Sequence, residues 1–123
     1  MFRVRQKNIY LNRGDAITLQ LVNNEGNFEA GDVIRFYICS KNDYTDILFS
    51  KTFTVAETSN FTEISLTSAE TRIGDEPIKD GSVVYWYEIE LNGDTTLVGY
   101  DEHGPKLMTF YPEADDSSEG GSV

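Results

Sequence analysis

One segment in the second half of the chain alternates between apolar and other residues with a period of two. Within residues 83–91, every second position carries a large apolar side chain, namely Val83, Tyr85, Tyr87, Ile89 and Leu91. Successive side chains of a β-strand point to opposite faces of the sheet, so this pattern predicts a strand with one buried face. Asn92-Gly93-Asp94 follows as a turn and residues 95–100 supply a second arm. A β-hairpin is therefore expected here.

Shorter strand patterns, separated by turn residues, recur along the rest of the chain at residues 2–11, 17–22, 33–40, 47–55, 61–66 and 106–111. No helical period of useful length interrupts them; Thr67 and Glu70 predict at most one helical turn. We therefore predict an all-β fold, a single immunoglobulin-like β-sandwich of about seven to eight antiparallel strands. Its predicted core contains Leu19, Phe36, Ile38, Ile64, Tyr87 and Ile89.

The chain has 123 residues, the size of one domain with a core of its own. The β-sandwich is expected to occupy residues 1–112. Residues 113–123 are acidic and rich in Ser and Gly, with too little apolar surface to offset the entropy of ordering, so we expect a disordered tail. The start of the chain lacks the apolar run of a signal peptide, and no run is long enough for a membrane span.

The net charge limits the possible binding partners, and the cysteine content indicates the redox compartment. The formal net charge of −11 argues against nucleic acid or an anionic membrane as the main partner, because phosphate groups are bound chiefly by Lys and Arg. Cys39 is the only cysteine and lies in an apolar run, where a buried thiol that packs as a hydrophobic side chain is expected. The chain needs no disulfide, which fits synthesis in a reducing cytosol.

Three groups of residues have some features of chemical sites. Arg13-Gly14-Asp15 spells a cell-attachment tripeptide, but it also makes a good turn between strands. The acids around His103 (Asp94, Asp101 and Glu102) lack the ligand spacing of a calcium or zinc site. Glu88 and Glu90 share a strand face, whereas paired glycosidase carboxylates normally come from different strands. We therefore predict a protein without catalytic, cofactor-binding or metal-binding residues, and not an enzyme; a small hydrolase is a distant alternative.

Surface contacts are the remaining source of function. The first strand carries Phe2 and Val4 between the basic Arg3 and Arg5, and Trp86 lies on the face of its strand opposite Tyr85 and Tyr87. The predicted interface of a homo-oligomer, or of a complex with another protein, consists of Phe2, Arg3, Val4, Arg5 and Trp86. A carbohydrate-binding module is the alternative, in which exposed aromatic residues such as Tyr44, Trp86 and Tyr100 stack on the sugar rings of host surface glycans.

The order of several segments resembles the small β-sandwich at the N-terminus of phage baseplate upper proteins and related virion-associated proteins of phages and prophages of Gram-positive gut bacteria. The segments are the 9–11 strand end, the Arg13-Gly14-Asp15 turn, residues 17–21, Gly31-Asp32 leading into 33–38, residues 64–67 with Glu70-Thr71, and 85–91. The resemblance spans residues 2–111. It implies a non-enzymatic virion structural or adaptor protein, for baseplate or fibre attachment or for decoration, whose partners are other virion proteins. Baseplate upper proteins continue beyond this domain into a helical or fibre region, whereas this chain continues into the acidic tail.

Overall fold

A computed structural model describes residues 1–113 of the chain. It contains nine strands and one short 3-10 helix: β1 Phe2–Arg5, β2 Asn8–Asn12, β3 Ile17–Val22, β4 Val33–Ser40, β5 Asp43–Thr54, β6 Phe61–Leu66, the helix Glu70–Arg72, β7 Val83–Leu91, β8 Thr95–Val98 and β9 Leu107–Tyr111. The prediction of an all-β chain is confirmed. No helix in residues 1–113 is both long and apolar enough to cross a membrane.

The strands form two sheets of unequal size. The larger sheet has the order β1-β2-β9-β7-β4-β5, with β8 also paired to β7, and the smaller sheet contains only β3 and β6. The predicted count of seven to eight strands was too low, because residues 2–11 fold as two strands joined at Gln6 and Lys7. The prediction that all strands are antiparallel was also wrong: β2 and β9 run parallel, since they are far apart in sequence and no tight turn constrains their direction.

The core lies between the two sheets. Tyr85, Tyr87 and Ile89 on β7 are buried, and Val83 and Leu91 pack at the margin of the core, as the alternation of this strand predicted. The core also includes Ile9, Leu11, Phe28, Ile34, Phe36, Ile38, Ile64, Met108 and Phe110. Burying each such side chain contributes about 1.5–3 kcal/mol. These contacts hold the two sheets together.

Leu19 is the one predicted core residue that the fold leaves half-buried. It faces the core side of β3 and is the cross-strand partner of the buried Ile64. The smaller sheet has no further strand beside β3 in the described residues, so one flank of Leu19 stays uncovered. Leu19 was predicted to be largely buried and is only half-buried, because a strand pattern does not show which strands lie at an edge.

Two smaller expectations concern the helical turn and the start of the predicted tail. The helical turn forms with a reciprocal cap, in which the Thr67 N–H donates to Glu70 Oε1 at 2.8 Å and the Glu70 N–H donates to Thr67 Oγ1 at 3.2 Å. Arg72 then donates through Nε to Glu113 Oε1 at 2.8 Å, so the last described residue contacts the domain. The rest of the predicted disordered tail, 114–123, lies outside the described residues.

Candidate functional site

Strand β3 exposes one edge of its backbone. It pairs with β6 along its whole length, from Ile17 opposite Leu66 to Val22 opposite Phe61, and with no other strand among the described residues. Backbone N–H and C=O groups alternate between the two sides of a strand, so about half of those in β3 point to the open side. Such an edge can form hydrogen bonds with another extended chain.

An apolar groove of about 540 Å³ runs beside this open edge. The groove separates β3 from β8 and β1, and its deepest lining residues, Tyr87 and Ile89, belong to the buried face of β7. Its walls include Leu19 and Leu21 of β3, Leu97 and Val98 of β8, and Phe2 and Val4 of β1. The groove therefore gives direct access to the side chains of the core.

Strand β1 is the most exposed strand of the protein, with all four residues accessible to solvent. It pairs with β2 only, with Phe2 opposite Leu11 and Val4 opposite Ile9, so both apolar side chains face the groove. Phe2 and Val4 nevertheless keep 37% and 48% of their surface exposed. The guanidinium of Arg3 lies on the other face, 5.6 Å from the centre of the Tyr10 ring. Four of the five predicted interface residues thus sit together on this strand.

The turn between β1 and β2 has an unfavourable backbone conformation. Gln6 and Lys7 connect the paired residues Arg5 and Asn8 and have φ angles of +51° and +67°. A two-residue hairpin turn with both φ angles positive is of type I′, a turn that favours Asn and Gly because other side chains crowd the backbone there. Neither residue is of a favoured type. The turn therefore stores strain of roughly 1–2 kcal/mol per residue.

Tyr87 holds this turn in place from the core side. Its hydroxyl donates a hydrogen bond to the carbonyl oxygen of Lys7. Burial raises the pKa of Tyr87 above the usual value for tyrosine, which keeps the hydroxyl protonated and able to donate. This hydrogen bond joins the β1–β2 hairpin to the core strand β7, in addition to the pairing of β2 with β9.

Trp86 is the fifth predicted interface residue. It lies on the outer face of the larger sheet, whereas Phe2 and Val4 of β1 face the groove on the other side. On the outer face Trp86 packs against Tyr44, with ring centres 4.7 Å apart, and against Tyr100 at 6.2 Å. Tyr100 is 60% exposed, whereas the Tyr44 hydroxyl is buried and has no hydrogen-bond partner within residues 1–113. Burial raises the pKa of Tyr44 to about 12. The three rings form a second surface, separate from the groove, which we call the aromatic cluster.

The other residues considered as chemical sites in the sequence form structural hydrogen bonds and ion pairs. Glu88 accepts a hydrogen bond from the Tyr37 hydroxyl, and Glu90 lies 3.8 Å from Arg35. Asp101 pairs with Lys106 at 2.8 Å, and no group of three His, Cys, Asp or Glu side chains in residues 1–113 could hold a metal ion.

Arg13-Gly14-Asp15 forms a turn, in which the Asn12 N–H donates to Asp15 Oδ2 at 2.9 Å and the Asp15 N–H donates to the Asn12 carbonyl at 3.0 Å. Cys39 is buried, and burial raises the pKa of its thiol to about 11, so the reactive thiolate form is scarce at neutral pH.

The groove itself was not predicted from the sequence. The only sign of it was an excess of apolar residues on the basic first strand, where Phe2 and Val4 alternate with arginines. Comparison with protein-family models, curated proteins and solved structures finds no match to this chain. Interpretation of the groove therefore rests on its geometry.

Proposed function

We propose that the chain is a non-enzymatic structural or adaptor protein of a phage virion that works through protein–protein contacts. The observation that carries this proposal is the apolar groove beside the unpaired edge of β3. An accessible apolar groove next to free backbone hydrogen-bonding groups suits the docking of an extended segment of another protein. Baseplate or fibre attachment, or decoration of the particle, would be the role of such a contact.

The strand arrangement supports an immunoglobulin-like sandwich, which is the fold class predicted from the strand pattern of the sequence. In immunoglobulin domains, strands B and E lie in one sheet and strands C, F and G in the other. Here β3 and β6 form one sheet, and β4, β7 and β9 lie in the other. We infer that the chain has this topology, with an additional hairpin strand, β1, at the edge of the larger sheet. Virion location, after synthesis in the host cytoplasm, is part of the same proposal.

Copurification tests the proposed function. The full-length chain is coexpressed with each structural protein encoded by the neighbouring genes, and complexes are purified through a tag on the partner. We expect one of these proteins to retain the chain, and Leu97→Arg in the groove to abolish retention. Leu48→Arg is the matched control, because Leu48 is a partly exposed leucine on β5, outside the groove. The absence of virion genes from the neighbourhood, or retention unaffected by Leu97→Arg, would contradict the proposal.

The aromatic cluster supports one alternative, carbohydrate binding. Its rings expose part of their surface, and aromatic faces stack on sugars, but the rings contact one another at interplanar angles of 48° to 74° rather than forming a flat platform. Calorimetric titration with host cell-wall glycans distinguishes the two functions. Glycan binding that is lost in Trp86→Ala and kept in Leu97→Arg would favour the alternative.

A further inference from the structure

We propose that the groove accepts strand β1 of a second copy of this chain, so that the Phe2–Arg5 segment of one molecule adds to the open edge of β3 in another. This inference rests on the proposed function to the extent that both use the groove as a docking surface. It goes further by identifying the occupant.

The residue pattern of β1 fits the position beside β3. The inner face of β3 presents Leu19 and Leu21 to the groove, and its outer face presents the exposed Thr18 and Gln20. A strand added to this edge needs apolar side chains on its inner face and polar ones on its outer face. Phe2 and Val4 alternate with Arg3 and Arg5 in this way. Docking would cover the uncovered flank of Leu19.

Charge favours the same occupant. The protein has a net charge of −11, yet β1 carries two arginines and no acid. On the outer face of the smaller sheet, Glu63 is the cross-strand partner of Gln20, and Glu25 lies at one end of the groove. An incoming β1 would bring its arginines near these acids. A segment with the acidic character of the chain as a whole would instead be repelled by these two glutamates.

The turn between β1 and β2 is suited to act as a hinge. Both of its residues, Gln6 and Lys7, have positive φ angles, and straightening the turn relieves this strain. Detachment of β1 breaks its four-residue pairing with β2 and the bonds from the Met1 amino group to Asn12 Oδ1 and Asp15 Oδ2. All four residues of β1 are already exposed, so the strand itself gives up little burial when it leaves. Each copy has one β1 and one groove. Two copies that exchange their β1 strands therefore fill both grooves and form a closed two-fold dimer.

Disulfide trapping tests the exchange in the full-length chain, with Cys39 replaced by Ala. One preparation carries Arg3→Cys and a second carries Gln20→Cys; the two are mixed and mildly oxidised, and the mixed dimer is measured by intact mass. In the isolated molecule, Arg3 lies over Tyr10 on the outer face of the larger sheet, whereas Gln20 lies on the outer face of the smaller sheet. Thr18→Cys, two residues from Gln20 on the same face of β3, detects docking in which β1 is shifted by two residues along β3. Thr52→Cys, exposed on β5, is the control for random collisions.

We expect mixed dimers with Gln20→Cys or Thr18→Cys to exceed the Thr52→Cys control several-fold. The double substitution Gln6→Asn and Lys7→Gly, which gives the turn its favoured residues, should reduce them several-fold by holding β1 on its own β2. Yields equal to the control at both β3 positions would overturn the inference. If a virion protein still copurifies through Leu97 in that case, the proposed function stands and only the occupant is wrong.

Discussion

The hydroxyl of Tyr87 donates a hydrogen bond to the carbonyl oxygen of Lys7. Tyr87 is 3% exposed and lies in the core. Its bond reaches the turn that follows β1, the most exposed strand. Tyr87 also stacks on Phe36, with ring centres 5.6 Å apart, so its position is fixed by the core. The placement of β1 is therefore linked to a core side chain through this bond, in addition to the pairing of β1 with β2.

Replacing Tyr87 with Phe should loosen the β1–β2 hairpin. The ring and its packing are kept, but the Lys7 carbonyl loses its donor, a change worth about 0.5–1.5 kcal/mol of unfolding free energy. We expect faster amide hydrogen exchange at those N–H groups of β2 that face β1, since the other side of β2 pairs with β9. Tyr85→Phe is the matched control, because the Tyr85 hydroxyl accepts from the Asp75 N–H on another part of the chain. Equal exchange in β2 for the two variants would show that the Tyr87 bond does not hold the hairpin.

Lys7→Gly should stabilise the protein by about 1 kcal/mol, because glycine adopts positive φ without steric cost while the turn otherwise stays the same. Thermal and urea denaturation measure the change. Asn42→Gly provides a comparison at another positive-φ site, the β4–β5 turn, with a φ of +71°. Asn tolerates this conformation better than Lys, so its replacement should gain less. A loss of stability in Lys7→Gly would mean that the turn is not strained.

Leu19 and Ile64 face each other across β3 and β6, yet their truncation should have unequal effects. Ile64 is 2% exposed, and Ile64→Ala should cost about 2–5 kcal/mol of unfolding free energy. Leu19→Ala should cost roughly half as much, because one flank of Leu19 already faces the open groove. Urea denaturation at low protein concentration compares the two. Equal losses would indicate that the groove is closed in solution.

Stability should fall at alkaline pH because of buried tyrosines. Burial raises the pKa of Tyr44 to about 12 and also raises that of Tyr87. In the unfolded chain both tyrosines have a pKa of about 10. The unfolded state therefore loses its protons first, so the stabilisation is complete below about pH 10 and declines as the pH rises toward the folded-state values.

The urea midpoint measured from about pH 8 to pH 11 should show this decline. The double variant Tyr44→Phe and Tyr87→Phe should show a shallower decline than the unsubstituted chain, because neither phenylalanine titrates. An identical slope in the two proteins would assign the alkaline loss to other groups, such as Tyr37, whose pKa is also raised by burial.

Local patterns in the sequence determined the elements of this protein. The alternation in residues 83–91 placed Tyr85, Tyr87 and Ile89 in the core, and Thr67 with Glu70 specified the helical turn. These features follow from contacts between near neighbours and from the two-residue period of a strand, both of which are visible in a linear sequence. The alternation of apolar and basic residues at Phe2–Arg5 led to the prediction of an interface there, and all four residues are exposed.

The tertiary structure alone decided which edges stay open and which distant groups meet. The parallel pairing of β2 with β9, the absence of a neighbour beside β3 in the described residues, and the bond from Tyr87 to Lys7 each join or separate segments far apart in the chain. A strand pattern defines two faces but not the partner at each edge, because backbone hydrogen bonding is nearly independent of side-chain identity. Leu19 shows the consequence: its pattern is that of a core residue, but the open edge of β3 makes it the wall of a groove.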